Sequence, residues 1–309
     1  MATINRTLLI QCLFPIFAVA IWATNAVVSK MATATIEPGA IAFYRWFVAL
    51  LVLSPFCLLP TIKQWDVIKR HLVKLTVLAS LGMVLNQSLA YYAAYTTSAT
   101  NIAIFLSLMP LVGLFLAVPL LGSQLRKTTL IGAVISFSGL LYMLTEGSPL
   151  QLMAQGLKQG DMLMLASTCA YALYSVLLNK WKLPLTTWCA VYCQVLLGAL
   201  LQLPLLLSSQ HWGIESNAWP MVVFAALAAS IIAPWCWLKG VALIGAERAT
   251  LFMNLVPIFT AGISVLLLSV HPTQFHLIGG GLVFVGLTLA QYKPKSQPTL
   301  SSILTINKA

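Results

Sequence analysis

The chain has 309 residues, of which 60% are hydrophobic and only 7% charged, and it carries a formal charge of +11. A soluble globular domain averages about 25% charged residues, so the composition excludes the ordinary water-soluble classes and points to a chain solvated by lipid. No arginine-rich face interleaved with aromatics accompanies the positive charge, which excludes a nucleic-acid surface.

Apolar stretches of about 20 residues, the length needed to cross a bilayer core, recur along the whole chain. They predict ten spanning helices, at 8–29, 38–60, 72–95, 99–121, 128–145, 161–180, 186–208, 219–242, 249–269 and 275–292. The first has a weak basic start, and Ala32-Thr33-Ala34 imitates a signal cleavage site. Its apolar run is too long for a signal sequence, so it is expected to remain as a span. The polar segment 293–309, with two prolines, predicts a disordered tail.

The second half repeats the first. Ala99, Phe105, Leu108, Pro110, Gly132 and Gly139 recur 147 positions later as Ala246, Phe252, Leu255, Pro257, Gly279 and Gly286. Nearer the start of each half the offset is 150: Ala20, Asn25, Ser29 and Lys30 answer to Ala170, Ser175, Asn179 and Lys180. The expected fold is therefore an all-α polytopic membrane protein, ten helices in two five-helix repeats, 1–147 and 160–292, joined by a linker at 148–159. Five is odd, so the second repeat enters from the opposite side and the topology is inverted. In such architectures the solute site lies near the midplane between the halves.

Charge sets the orientation. Arg6, Lys63, Lys69, Arg70, Lys74, Arg126, Lys127, Lys180, Lys182, Arg248, Lys293, Lys295 and Lys308 fall on the side of the termini, against Lys30 and Lys158 opposite. Glu37, Glu146, Asp161 and Glu215 also lie opposite. The positive-inside rule puts both termini in the cytoplasm.

The six cysteines form no metal-spaced pair, and His71, His211, His271 and His276 form no constellation. No phosphate-binding loop, nucleophile elbow, HExxH or dinucleotide fingerprint occurs. Nothing predicts catalysis, a cofactor or a metal, and ATP hydrolysis on this chain cannot drive movement of a solute.

Polar and aromatic residues inside the spans are the candidates for function. A charge near the bilayer centre costs a few kcal/mol even on lenient scales and faces a cavity or a partner. Arg45 lies a third of the way into span two, where the repeat places Gln194, and Lys239 is the deepest lysine of the second half. Arg45 and Lys30, which closes span one, are expected to be gating or structural; Lys239 is a candidate for lining a pathway. Trp22, Tyr91, Tyr95, Tyr171, Tyr174 and Trp235 supply aromatic bodies with polar tips, suited to a small solute, and the polar Asn25 lies three positions from Trp22. Pro110 and Pro257 are paired helix interrupters, one per half, and Asn101 and Asn254 share their spans. A proline frees a carbonyl that protein or cavity water must satisfy.

These residues carry a resemblance. Trp22-Ala23-Thr24-Asn25 with Lys30, Phe43-Tyr44-Arg45, Tyr91 to Tyr95, Ala99 to Pro110, and Ile131-Gly132 to Gly139 carry it in the first half. Gly160-Asp161, Tyr171 to Tyr174, Ala246 to Pro257, and Gly279 to Gly286 carry it in the second. Over about 12–292 the chain resembles the ten-span EamA family of the drug/metabolite transporter superfamily. The resemblance implies an inner-membrane secondary carrier of small metabolites, with spans one, three, four, six, eight and nine around a central cavity. It would put Trp22, Asn25, Tyr91, Tyr95, Tyr171, Tyr174, Trp235, Lys239 and Asn254 at that cavity. Many relatives carry Gly-Glu after spans four and nine; here Leu121-Gly122-Ser123 and Leu268-Ser269-Val270 lack the acid. That departure favours exchange or potential-driven movement over proton coupling.

The leading expectation is export of amino acids or related polar metabolites. Uptake of a nutrient or vitamin, export of a metal-chelating metabolite, and a channel or lipid-handling role are the alternatives. The expected partners are the solute and the bilayer; the Gly279-Gly280-Gly281 run permits close helix approach, within the chain or in a homodimer.

Overall fold

A computed structural model describes residues 6–124, 127–148, 158–245, 249, 252–270 and 272–291, and every regular element among them is helical. The expected tail, most of the linker, Arg126, Ala246 and Arg248 lie outside the described residues. A short helical turn at Trp65–Arg70 aside, the first five helices are α1 Arg6–Ala32, α2 Pro38–Lys63, α3 Leu72–Ala93, α4 Ala99–Leu121 and α5 Lys127–Leu144. The next five are α6 Gln159–Trp181, α7 Thr187–Leu207, α8 Trp219–Ile244, α9 Val256–Leu268 and α10 Gln274–Gln291.

Seven of these, α1 to α4 and α6 to α8, are long and apolar enough to cross a membrane. The apolar stretches in the positions of spans five, nine and ten are shorter, at 10–17 residues. Large apolar side chains crowd the outside: Leu266 is 80% exposed, Val73 78% and Phe56 76%. Such faces would drive association in water and are at home against lipid tails.

Local chemistry marks the helix ends. Pro38 opens α2 behind an extended Glu37, and the Ser98 side chain caps α4 by accepting from the Asn101 N–H at 3.0 Å. Gly122 ends α4 at φ 69° and Ser269 ends α9 at φ 52°, both left-handed and 147 positions apart.

Helices from the two halves pair closely. The tightest seam joins α5 to α10. A Cβ on Gly132 would lie 2.4 Å from the Gly286 carbonyl oxygen, and one on Gly139 would lie 2.6 Å from that of Gly279. The converse contacts are 2.5 and 2.6 Å. Residue numbers rise on one helix as they fall on the other, so the two run antiparallel. Ser136 sits in the middle and donates to the Val283 carbonyl at 3.3 Å. Gly279 is thus used inside the chain. The α2–α7 pair is also close: Trp46, Ala49, Leu53 and Cys57 pack on Tyr192, Val195 and Ala199. The remaining cross-packing is reciprocal. The α1 helix packs on α8 and α9, as α6 packs on α3 and α4.

The glycine seam gives a direct test. Gly139→Val would force two backbones apart and is expected to cost about 1–3 kcal/mol. Gly113→Ala, where nothing lies within 4 Å, should stabilise by up to about 1 kcal/mol. Thermal unfolding of the purified protein in detergent reads both.

Candidate functional site

Two helices in equivalent positions are locally widened into π geometry. In α3 this is Ser80–Leu85, and in α8 it is Phe224–Ile232. The 147-residue offset lays the first inside the second. A π turn breaks the regular i→i−4 ladder, and within a bilayer the displaced carbonyls need partners. Side chains supply them, three from neighbouring helices and one, Ser230, from the π turn itself. In α3 the Met83 carbonyl accepts from Trp46 Nε1 at 3.0 Å and from Gln202 Nε2 at 2.7 Å. In α8 the Ala229 carbonyl accepts from Trp22 Nε1 at 3.2 Å, and the Ala225 carbonyl from Ser230 Oγ at 2.7 Å.

The prolines mark a second matched pair of breaks. In α4 the helix is interrupted at Leu108, just ahead of Pro110. A 3-10 turn, Met253–Leu255, precedes Pro257. The Thr168 hydroxyl of α6 reaches the Phe105 carbonyl at 3.2 Å, so a side chain serves this break as well.

Arg45 is the charged centre of the region. It is 2% exposed. Its Nε donates to Ser230 Oγ at 2.7 Å, and Nη1 donates to Gln87 Oε1 at 2.9 Å and to the Tyr91 hydroxyl at 3.1 Å. The guanidinium carbon lies 5.2 Å from the centre of the Trp46 ring. Among the described residues no carboxylate pairs with it. The network continues: Gln87 Nε2 donates to Asn86 Oδ1 at 2.9 Å, and Asn86 Nδ2 to Ser167 Oγ at 3.1 Å. A polar chain therefore runs from Ser230 on α8 through Arg45 on α2 and Gln87 and Asn86 on α3 to Ser167 on α6.

The residues singled out from sequence fall into several groups. Tyr91 is buried against Arg45. Trp22 holds the α8 π turn and lies 5.6 Å from the Trp237 ring. Tyr171 and Tyr174 pair at 5.4 Å, and the Tyr174 ring covers Gly82 of the α3 π turn so closely that a Cβ there would meet it at 2.9 Å. Asn25 and Asn254 each keep a buried amide oxygen without a partner, while the Asn254 amide nitrogen donates to Thr288. Lys30 donates to the Ala94 carbonyl at 2.6 Å at the end of α3. Tyr95 lies beyond that end, half exposed, where burial and the Glu37 carboxylate push its phenol above the ordinary value. Trp235 and Lys239 are exposed and make no contact with Arg45, because Ala233, Cys236 and Gly240 form the face of α8 that is buried.

Sequence reasoning passed over Trp46, Asn86, Gln87, Gln202 and Ser230. The polar run Asn86-Gln87-Ser88 inside an apolar span was a visible signal; the π turns had none. Asp161, read as an acid of the outer side, is 4% exposed and accepts from Thr97 Oγ1 at 2.5 Å and Asn101 Nδ2 at 3.2 Å. Gly160 lets the start of α6 come close enough for this, since a Cβ there would lie 2.6 Å from the Ala93 carbonyl.

Beside Ser230, a crevice of about 30 Å³ between α2, α7 and α8 is walled by Leu53, Val191 and Trp235. It has room for a water molecule or two. A groove of about 420 Å³ between α4 and α5 is lined by Phe115, Leu130, Val134, Phe137 and Leu141, and carries no charge.

Comparison with known proteins decides the class. A model of the EamA-like transporter family matches residues 9–145 and again 158–292. The chain belongs to this family. Among its relatives is an uncharacterized transporter of Bacillus subtilis, YyaM, 26% identical over 85% of this chain and 87% of that protein. An uncharacterized transporter of Archaeoglobus fulgidus is 25% identical over 88% and 94%. A solved crystal structure superposes with a TM-score of 0.62 at 17% identity, covering 96% of this chain and 98% of the other, which shows the shared fold. As an EamA-like protein, the chain is a multi-pass membrane transporter.

The α3 π turn supplies a prediction. Two donors share the Met83 carbonyl, so Trp46→Phe or Gln202→Leu alone should cost little in hydrogen bonding. The double variant strands a buried carbonyl and should lose about 1–3 kcal/mol beyond the sum of the singles. A double-mutant cycle on thermal unfolding checks it.

Proposed function

We propose that the protein is a secondary carrier of the cell inner membrane that moves a small metabolite by alternating access. Its ten helices act as two inverted five-helix repeats, 1–147 and 160–292, with both termini in the cytoplasm. The carrying observation is that each half has the same pair of interruptions: a π turn in α3 and α8, and a break before Pro110 and Pro257. Matched irregular helices in the two halves are where membrane carriers build a solute site and a hinge. The antiparallel glycine seam and the excess of basic residues on one side support the inverted arrangement and its orientation.

The solutes we favour are amino acids or related polar metabolites, moved outward. Trp22, Tyr91, Tyr171 and Tyr174 supply aromatic bodies on α1, α3 and α6, with the tips of Trp22 and Tyr91 engaged by the Ala229 carbonyl and Arg45, and the buried Asn25 and Asn254 oxygens remain open to a donor. A solute ammonium or hydroxyl is such a donor. No acid occupies the middle of a span, so exchange or the membrane potential drives the movement.

Deletion and overexpression in the host, with untargeted profiling of cells and medium, tests the reading. The expected result is a compound that builds up inside on deletion and outside on overexpression. A compound missing from deleted cells and left in the medium would reverse the direction to uptake.

A further inference from the structure

Arg45 is a buried cation with no counter-charge among the described residues. A guanidinium carries five N–H donors and cannot lose its proton inside a protein. Here it is 2% exposed, and all its bonds go to neutral oxygens of Ser230, Gln87 and Tyr91. The third nitrogen, Nη2, makes no hydrogen bond among the described residues. Removing a charge from water without a counter-charge is expensive, and three neutral acceptors repay only part of it. A structural arginine would be cheaper with an acid beside it or replaced by an uncharged donor.

The location turns this cost into a device. Ser230 belongs to the π turn of α8, while Gln87 and Tyr91 lie just beyond the π turn of α3. Arg45 therefore bridges the two distorted helices, one from each half. The crevice beside Ser230, about 30 Å³, holds no metabolite in this arrangement. A solute reaches the guanidinium only when α3 and α8 part, and then its oxygens take over from the side-chain oxygens.

We propose that Arg45 binds a carboxylate of the transported solute, so that the protein carries monocarboxylates or zwitterions such as amino acids. Charge matching selects the class. Of the two lysines singled out in the spans, Lys30 donates to Ala94 and Lys239 is exposed. One guanidinium neutralises one carboxylate, whereas a phosphate dianion would bring an uncompensated charge into the membrane. A polyamine or other pure cation would be repelled. The proposal rests on the carrier reading above.

The test uses the full-length protein, purified and reconstituted. L-threonine and lactate represent the favoured class, inorganic phosphate the dianion and putrescine the cation. Binding is read by the thermal midpoint and by tryptophan fluorescence, since Trp46 stacks on Arg45. L-threonine or lactate should shift both signals in the wild type; phosphate and putrescine should not. Arg45→Gln should weaken the productive probe about tenfold or more, the loss of a charged hydrogen bond. Arg45→Lys keeps the charge and should retain part of the affinity; if the Gln variant fails to fold, a raised KM in Arg45→Lys at unaltered kcat carries the same information. A shift with phosphate or putrescine alone, no shift with any probe, or an affinity unaltered in both variants overturns the proposal. Saturable counterflow of the solute found by profiling separates the two failures. Counterflow with no dependence on Arg45 leaves a carrier without anion recognition; wild type without counterflow removes the carrier itself.

Discussion

A polar group inside a bilayer must find its partner within the protein, and this one constraint organises the chain. Where helices are regular, the backbone satisfies itself and the outer faces are left to lipid. Where α3 and α8 widen into π turns, carbonyls are released, and Trp46, Gln202, Trp22 and Ser230 are held in place to receive them. The same requirement draws Ser230, Gln87 and Tyr91 around the Arg45 guanidinium. The buried polar side chains are therefore concentrated at distortions, and the distortions mark the region where function is expected.

The distortions come in pairs because the halves are copies. Gly132 and Gly139 meet Gly286 and Gly279 along an antiparallel seam, which fixes α5 against α10 with backbone contacts that admit no side chain. The α2–α7 interface is likewise filled. A π turn and a proline break each contain a hydrogen bond that can change partner at small cost, since side-chain donors already wait beside the carbonyls. The bridge from Ser230 through Arg45 to Gln87 joins the two distorted helices, and a solute competing for that bridge would bias the arrangement.

Much of the architecture could be read from spacing alone. The 147-residue offset picked out Pro110 and Pro257, and the helix breaks lie just ahead of them. The same offset picked out the four glycines that form the α5–α10 seam. Arg45 stood out because its charge lies inside a span. The π turns were not legible: Ser80–Leu85 and Phe224–Ile232 are ordinary apolar sequence, and their geometry depends on donors arriving from distant helices. For Trp235 and Lys239, the direction each faces was written in the small residues Ala233, Cys236 and Gly240, which bury the opposite side of α8. From sequence, Asp161 is legible only as an acid of the outer side; its burial is not, because it depends on Gly160 letting α6 approach the turn after α3.

The most direct measurement of movement between the halves is the distance between α3 and α8 in proteoliposomes. Spin labels at Val73 and Leu243, both exposed, report it by pulsed electron resonance. An alternating-access carrier predicts two distance populations whose balance shifts when the transported solute is added. A single population, unchanged by the solute found in the profiling experiment, would contradict it.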